Sequence, residues 1–194
     1  MPQKTINPRK AKQRDLEISR VEAEEIERIT HRLEELHEGK EFHKMQRKVF
    51  RAIFKEGKKR IFIRKGRKGG GTHTILYPLV RLAGLYSNTA AYLFGPTLKL
   101  QKEIVWSNRR LHEFIPKSWG VRYKESTCRA VFPNGSFIKV EGANDPELTV
   151  GIEGDIFVWD EFKRHNPMSY EYAYPNVASR DAVWIVVGSP PTRK

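Results

Sequence analysis

The sequence predicts an α/β fold, a mainly parallel central sheet flanked by helices, on three observations. Strand-like and helix-like runs alternate along most of the 194 residues. Two runs, "DIFVW" (155–159) and "AVWIVVG" (182–188), are continuously apolar, as expected of strands covered on both faces. A glycine-rich loop follows one strand-like run and an Asp-Glu pair follows another, and open α/β sheets gather their ligands at the carboxyl ends of strands. A chain of this length suits one domain, with room for a small appendage.

Taken in order, the first dozen residues are basic, contain Pro2 and Pro8, and read as a disordered arm. Residues 21–41 hold eight acidic against three basic side chains, with Ile26, Ile29, Leu33 and Leu36 spaced three and four apart. That spacing predicts a charged helix with one apolar stripe, ended near Gly39; it either packs on the main body or serves a partner or a second copy. From Lys44 to Lys68 the balance reverses to twelve basic residues and one acidic residue, Glu56, the strongest candidate for a surface facing polyphosphate. "RIFIR" (60–64) reads as a strand and "TILYPLVRLAGL" (74–85) as a helix despite Pro78. "AAYLF" (90–94) follows as a strand, then 98–114 as a helix. "RAVFPNGSFIKVEG" reads as a hairpin turning at Asn134-Gly135.

Composition narrows the function classes. A formal net charge of +13 favours a polyanionic partner over an acidic or apolar one. The single cysteine, Cys128, offers no internal disulfide, which points to a reducing compartment. No apolar run nears the ~20 residues of a membrane span, and the amino terminus lacks a signal-peptide core, so a soluble intracellular protein is expected. Six histidines and one cysteine show no metal-ligand spacing, and a structural zinc is not expected.

The chemistry concentrates in two stretches. In "IFVWDE" the apolar strand runs into Asp160 and Glu161: a carboxylate at the strand tip suits Mg²⁺, and its neighbour suits a water that attacks phosphate. The bland alternative is a helix start with acidic caps. "RKGRKGGGT" resembles the phosphate-binding pattern G-x-x-x-x-G-K-[ST] with Thr72 at the hydroxyl position. Gly71 then stands where the lysine usually is, and Lys65 where the first glycine is. Backbone N–H groups can still cradle phosphate. The missing cation is open among Lys65, Arg64, Arg67 and Lys68. A linker would not carry this cluster of cations into an apolar helix.

With these stretches in place, the chain resembles the ATPase domain of the large terminase subunit, the motor that packages double-stranded DNA into tailed bacteriophage heads. The likeness runs from about Phe42 to the end, through "FHKMQRKVF", "RKGRKGGGT", "AYLFGPTLKLQKEIVW", "FPNGSFIKVEGANDPELTVGIEGDIFVWDEF" and "VVGSPPT", in that order. Some members of that family carry a deviant Walker A loop whose lysine opens the loop, and Lys65 matches that variant. The resemblance implies an ASCE-type P-loop NTPase over residues 42–194, with residues 1–41 as a basic arm and helical extension.

It also implies roles. Gln46 would read the adenine edge, the alternative being an ordinary exposed helix residue. Lys65, Gly66, Arg67, Lys68, Gly69, Gly70 and Gly71 would hold the phosphates of ATP, and Thr72 with Asp160 would hold Mg²⁺. Glu161 would orient the attacking water. Ser189, Pro190 and Thr192 would sense the γ-phosphate, the alternative being a strand-ending turn. His73 reads as a helix-start residue. The implied partners are double-stranded DNA, the portal protein of the procapsid, the small terminase subunit and further copies in a ring, in the host cell cytoplasm. The sequence stops two residues after Thr192, without the family's usual nuclease domain, so DNA cleavage is not expected of it. Candidates for an arginine reaching a neighbour's phosphates are Arg109, Arg110, Arg122, Arg129 and Arg180, because Val150-Gly151 occupies the usual position. A helicase-like P-loop ATPase, or a non-catalytic nucleic-acid-binding module with a degenerate loop, are the rival readings.

Overall fold

The computed structural model describes residues 44–66 and 70–189. The expected extension over 1–41 therefore lies outside the described residues, as do Arg67, Lys68, Gly69, Pro190 and Thr192.

Helix α1 (Lys44–Phe54) buries Gln46, Val49 and Ile53, spaced three and four apart, and turns its basic residues outward. Strand β1 (Arg60–Arg64) follows, and then α2 (Gly71–Leu85), which starts three residues earlier than its apolar spacing predicts and runs through Pro78. Strand β2 (Ala90–Gly95) leads into α3 (Leu98–Gln101), a π-helical stretch (Lys102–Ser107) and α4 (Arg110–Glu113). The single helix expected over 98–114 is thus broken, and the reason is tertiary. Trp106 and Leu111 are both buried although they stand five positions apart, roughly 140° around an α-helix. A wide turn and Arg109 at φ 54 bring both inward.

Strands β3 (Arg122–Lys124), β4 (Arg129–Val131) and β5 (Phe137–Gly142) follow, with the expected tight turn at Asn134-Gly135, where Gly135 has φ 84. Then come β6 (Ile156–Trp159), α5 (Pro167–Arg180) and β7 (Val183–Gly188). Helix α5 was not expected from the sequence, its Pro167 and Pro175 masking it. Pro167 in fact occupies the first turn behind an Asn166 cap, where proline is welcome.

The seven strands are ordered β1-β7-β6-β2-β5-β4-β3. The four pairings from β1 to β5 are parallel and the last two antiparallel. Strand β7 is inserted between β1, which carries the glycine loop, and β6, which carries the carboxylates; this is the ASCE-type P-loop arrangement. Parallel register pairs Arg64 with Gly188 and Trp159 with Val186, so Lys65, Ser189 and, two residues further back, Asp160 all emerge at the carboxyl end of the sheet. All four residues of β6 are buried, so both its faces are covered. On one face Phe94, Phe157, Trp159 and Trp184 pack with Ala173 and Val177 of α5, the Phe94 and Trp159 rings 4.5 Å apart. Burying each phenylalanine there contributes roughly 1.5–3 kcal/mol. Helix α2 packs against β2, β5 and β6. This rigid sheet fixes the positions of the strand tips.

Candidate functional site

The loop between β1 and α2 ends in a turn that requires glycine. Gly70 caps α2 with φ 66, a left-handed conformation that a side chain resists. The first-turn N–H groups of a helix have no carbonyl of their own helix to meet, so the start of α2 is a place where an anion is welcome. Thr72, in that first turn, donates its hydroxyl hydrogen to Asp160 Oδ2 at 3.2 Å.

Lys65 follows β1 directly. Its backbone N–H bonds to the Gly188 carbonyl at 3.0 Å, extending the β1 and β7 pairing by one residue. Its side chain then crosses the loop: a Cβ added at Gly71 would lie 2.2 Å from Lys65 Cδ and 2.5 Å from Lys65 Nζ. The lysine from the loop's start therefore fills the space that a side chain at the usual lysine position would need. Its amine lies 2.8 Å from Glu161 Oε1 and 3.9 Å from Asp160 Oδ1. Of the four cations that the sequence leaves open, Arg64 is exposed and Arg67 and Lys68 lie outside the described residues. Lys65 is the one described at the carboxylates.

The two carboxylates differ in environment. Asp160 is 2 % exposed, and burial pushes its carboxyl above the ordinary value; the Lys65 amine pulls it down, Glu161 pushes it up, and the Thr72 hydroxyl and Glu161 N–H lower it. Its Oδ1 accepts that N–H at 3.0 Å. Glu161 has φ 54, left-handed backbone that a non-glycine residue adopts at a cost of about 1–3 kcal/mol and that clusters at functional sites. It opens a short 3₁₀ turn (Phe162–Arg164) at which its own side chain makes no capping bond; the carboxylate that accepts a backbone N–H there is Asp160. The side chain is turned to Lys65 instead.

His165 escaped the sequence reading. It is buried, and its Nε2 lies 2.6 Å from the Asp160 carbonyl, so the Nε2–H tautomer donates there and braces the turn that presents Glu161. Burial holds its imidazole below the ordinary pKa, partly offset by the Asp160 carbonyl and Glu161. A lone histidine four residues after Glu161 has no local signature that could have flagged it. Gln46, by contrast, is 7 % exposed, which overturns the exposed-helix alternative, and its Nε2 would lie 3.9 Å from a Cβ at Gly70. His73 sits in the first turn of α2, edge-on to Phe114. Ser189 follows β7 at the same carboxyl end of the sheet.

Oxygen donors from Thr72 and a desolvated Asp160, beside a helix start, fit Mg²⁺, which takes one or two carboxylates and fills its remaining positions with phosphate and water. Among the described residues no cluster of three His, Cys, Asp or Glu side chains exists that would hold a metal by itself. Of the arginine candidates, Arg129 lies over the Phe137 ring at 3.6 Å, and Arg180 bonds Glu153 at the other end of β6. Among the described residues no helix is long and apolar enough to cross a membrane.

No protein-family profile and no curated protein matches the chain. Solved structures do. The large terminase of a thermophilic bacteriophage superposes with a TM-score of 0.64 at 19% identity, over 78% of this chain and 40% of that one. The large terminase ATPase domain of Thermus phage P74-26 gives 0.60 at 19%, over 82% and 69%. The HK97 bacteriophage large terminase gives 0.64 at 15%, over 77% and 33%. The thermophilic phage protein has also been solved with ADP and with ATP-gamma-S. The chain thus spans about two fifths of the length of that thermophilic phage protein and has the fold of the large terminase ATPase domain.

Proposed function

We propose that the chain is a Mg²⁺-dependent ATPase domain that drives double-stranded DNA into a viral procapsid. The observation that carries this reading is the meeting of Lys65 and Thr72, from a glycine loop, with Asp160 and Glu161, from the tip of another strand. The fold shared with terminase ATPase domains, one of them solved with ATP-gamma-S, supports it.

Lys65 and the N–H groups at the start of α2 bind the phosphates, and Gln46, buried beside the loop, reads the base. Thr72 and Asp160 hold Mg²⁺, which when bound screens the charge of the phosphate oxygens. In the nucleotide-free chain the Lys65 amine pairs with Glu161 at 2.8 Å and lies 3.9 Å from Asp160. An incoming triphosphate draws the amine away and frees Glu161 to accept a hydrogen bond from the attacking water and orient it. His165 keeps Glu161 aimed by holding the Asp160 carbonyl. Ser189, Pro190 and Thr192, following the strand between the two catalytic strands, sense the γ-phosphate. DNA is gripped through its backbone phosphates, because a motor must pass every sequence. The motor works in the host cytoplasm as a homo-oligomeric ring on the portal protein, supplied with DNA by the small terminase subunit.

Phosphate release tests this reading, measured with and without duplex DNA and across protein concentration. Glu161→Gln is expected to lose roughly 10²–10⁴-fold in turnover while still binding nucleotide. A parent chain that hydrolyses nothing at any concentration, or a Glu161→Gln variant as fast as the parent, sinks it.

A further inference from the structure

Helix α1 carries its stripe of like charges, and the cation of its first turn, against its own stability. Lys44, Arg47, Lys48, Arg51 and Lys55 stand at spacings of three and four along the helix and just past its end, and all five are exposed. They form one stripe opposite the buried Gln46, Val49 and Ile53. Like charges three and four apart destabilise a helix, and cations in the first turn oppose its dipole. A merely solvated face interleaves the two signs. Here the first turn holds no acidic residue, and among the described residues only Arg51 of the stripe meets a carboxylate, Glu56 at 3.3 Å, with both side chains exposed. A polyanion laid along the stripe would relieve both penalties.

We propose that this stripe is the surface on which the domain contacts the phosphate backbone of duplex DNA. The proposal rests on the function reading above for its choice of polyanion and deepens that reading by naming the gripping helix. The dimensions agree: five cations span roughly 16 Å of helix axis, against a duplex that offers about one phosphate charge per 1.7 Å. The location also gives the grip a route to the nucleotide. The inner face of α1 carries Gln46, beside Gly70, and the helix is seated on α2 through the Phe50 and Tyr77 rings, 4.6 Å apart, and through Arg81 over the Phe54 ring at 4.5 Å. A helix whose inner face borders the phosphate loop and whose outer face holds DNA moves with both.

The test compares two variants of the 194-residue chain with equal charge loss. One is Lys44→Gln, Arg47→Gln, Lys48→Gln; the other is Lys117→Gln, Arg122→Gln, Lys124→Gln, on an exposed basic region of the opposite sheet edge. Binding of a fluorescent 30-base-pair duplex (length chosen to span about three helical turns) is measured without nucleotide over a salt series. The α1 variant is expected to lose at least about tenfold in affinity and to flatten the salt slope by about 2.7, while the control changes little. Its melting temperature is expected to equal or exceed the parent's, since the repulsion is relieved. Equal losses in both variants would mean that diffuse charge binds DNA, and a drop in melting temperature would mean that the stripe serves the fold; either overturns the proposal. So does unchanged DNA affinity with an altered oligomeric state, which would make the stripe a protein interface. Absence of ATP hydrolysis by the parent would fell the motor reading and leave the DNA result to be judged on its own.

Discussion

Asp155 and Asp160 flank the four residues of β6, one before the first and one after the last, and each has a basic side chain and a second carboxylate nearby. At the first end Arg180 bonds Glu153 at 2.7 Å and approaches Asp155 at 3.6 Å, with side chains 42%, 77% and 38% exposed. Asp155 spends its other oxygen on the Ala90 N–H at 2.8 Å, tying β6 to the start of β2. At the second end Lys65, Glu161 and Asp160 are 11%, 32% and 2% exposed. The same charge types therefore do different work. Where water reaches them they steady two strands and a helix. Where water is excluded, a carboxylate is held desolvated beside a cation.

Removing the cation breaks the second arrangement most. Lys65→Ala is expected to lower turnover by roughly 10²–10³-fold, the loss typical of one group that stabilises developing charge. Arg64→Ala, on the exposed face of β1, is expected to change it little. Gly71→Ala sharpens the point, because its methyl group would occupy the path of the Lys65 chain. The lysine end is flexible and can shift aside, so a smaller loss, on the order of tenfold, is expected. Single-turnover phosphate release measures all three, and Lys65→Ala running at the parent's rate would mean that another cation serves.

How much of this was legible in the sequence follows the same division. The strands could be read because β6 and β7 are apolar throughout, and the loop and carboxylates because their spacing is local. Residue order alone left four loop cations open and only the family likeness pointed to Lys65, because what separates them is the space above Gly71, a contact across the loop. The π-helical turn depends on Trp106 and Leu111 reaching one core, and the burial of Gln46 on α1 packing beside the loop; neither leaves a mark in its own segment. Helix α5 was hidden by its prolines. His165 acts through one backbone carbonyl, and nothing in the residue order announces that.

Stability separates the two ends of β6 by sign. Asn at 160 can accept the Glu161 N–H with its oxygen and donate its amide hydrogen to the Thr72 hydroxyl, so the geometry survives while the buried charge is gone. Burial raises the Asp160 carboxyl above its ordinary value, so its contribution favours the fold below about pH 4 and is lost as pH rises through the raised value. Asp160→Asn should therefore match the parent near pH 4 and melt at a higher temperature by pH 7, the gap widening between. Asp155→Asn weakens a charge-assisted bond to Ala90 and is expected to lower stability by about 1 kcal/mol. Thermal melts of the nucleotide-free proteins across pH decide it; Asp160→Asn melting below the parent at pH 7 would mean that its carboxylate stabilises the nucleotide-free fold.

The smallest expected effect is also the one that can dissolve the contrast. Arg180→Ala removes a solvent-exposed pair worth roughly 0–1 kcal/mol, a shift of no more than about 4 °C in melting temperature that shrinks with added salt. If the first end of β6 is only a brace, turnover stays at the parent's rate at every protein concentration. Arg180 is nonetheless one of the arginines that a neighbouring copy could receive, and an exposed pair with Glu153 is cheap to break. A turnover loss that appears only at concentrations where the chain self-associates would therefore mean that Arg180 leaves Glu153 to meet a neighbour's phosphates. Both ends of β6 would then serve catalysis, one within the chain and one between chains.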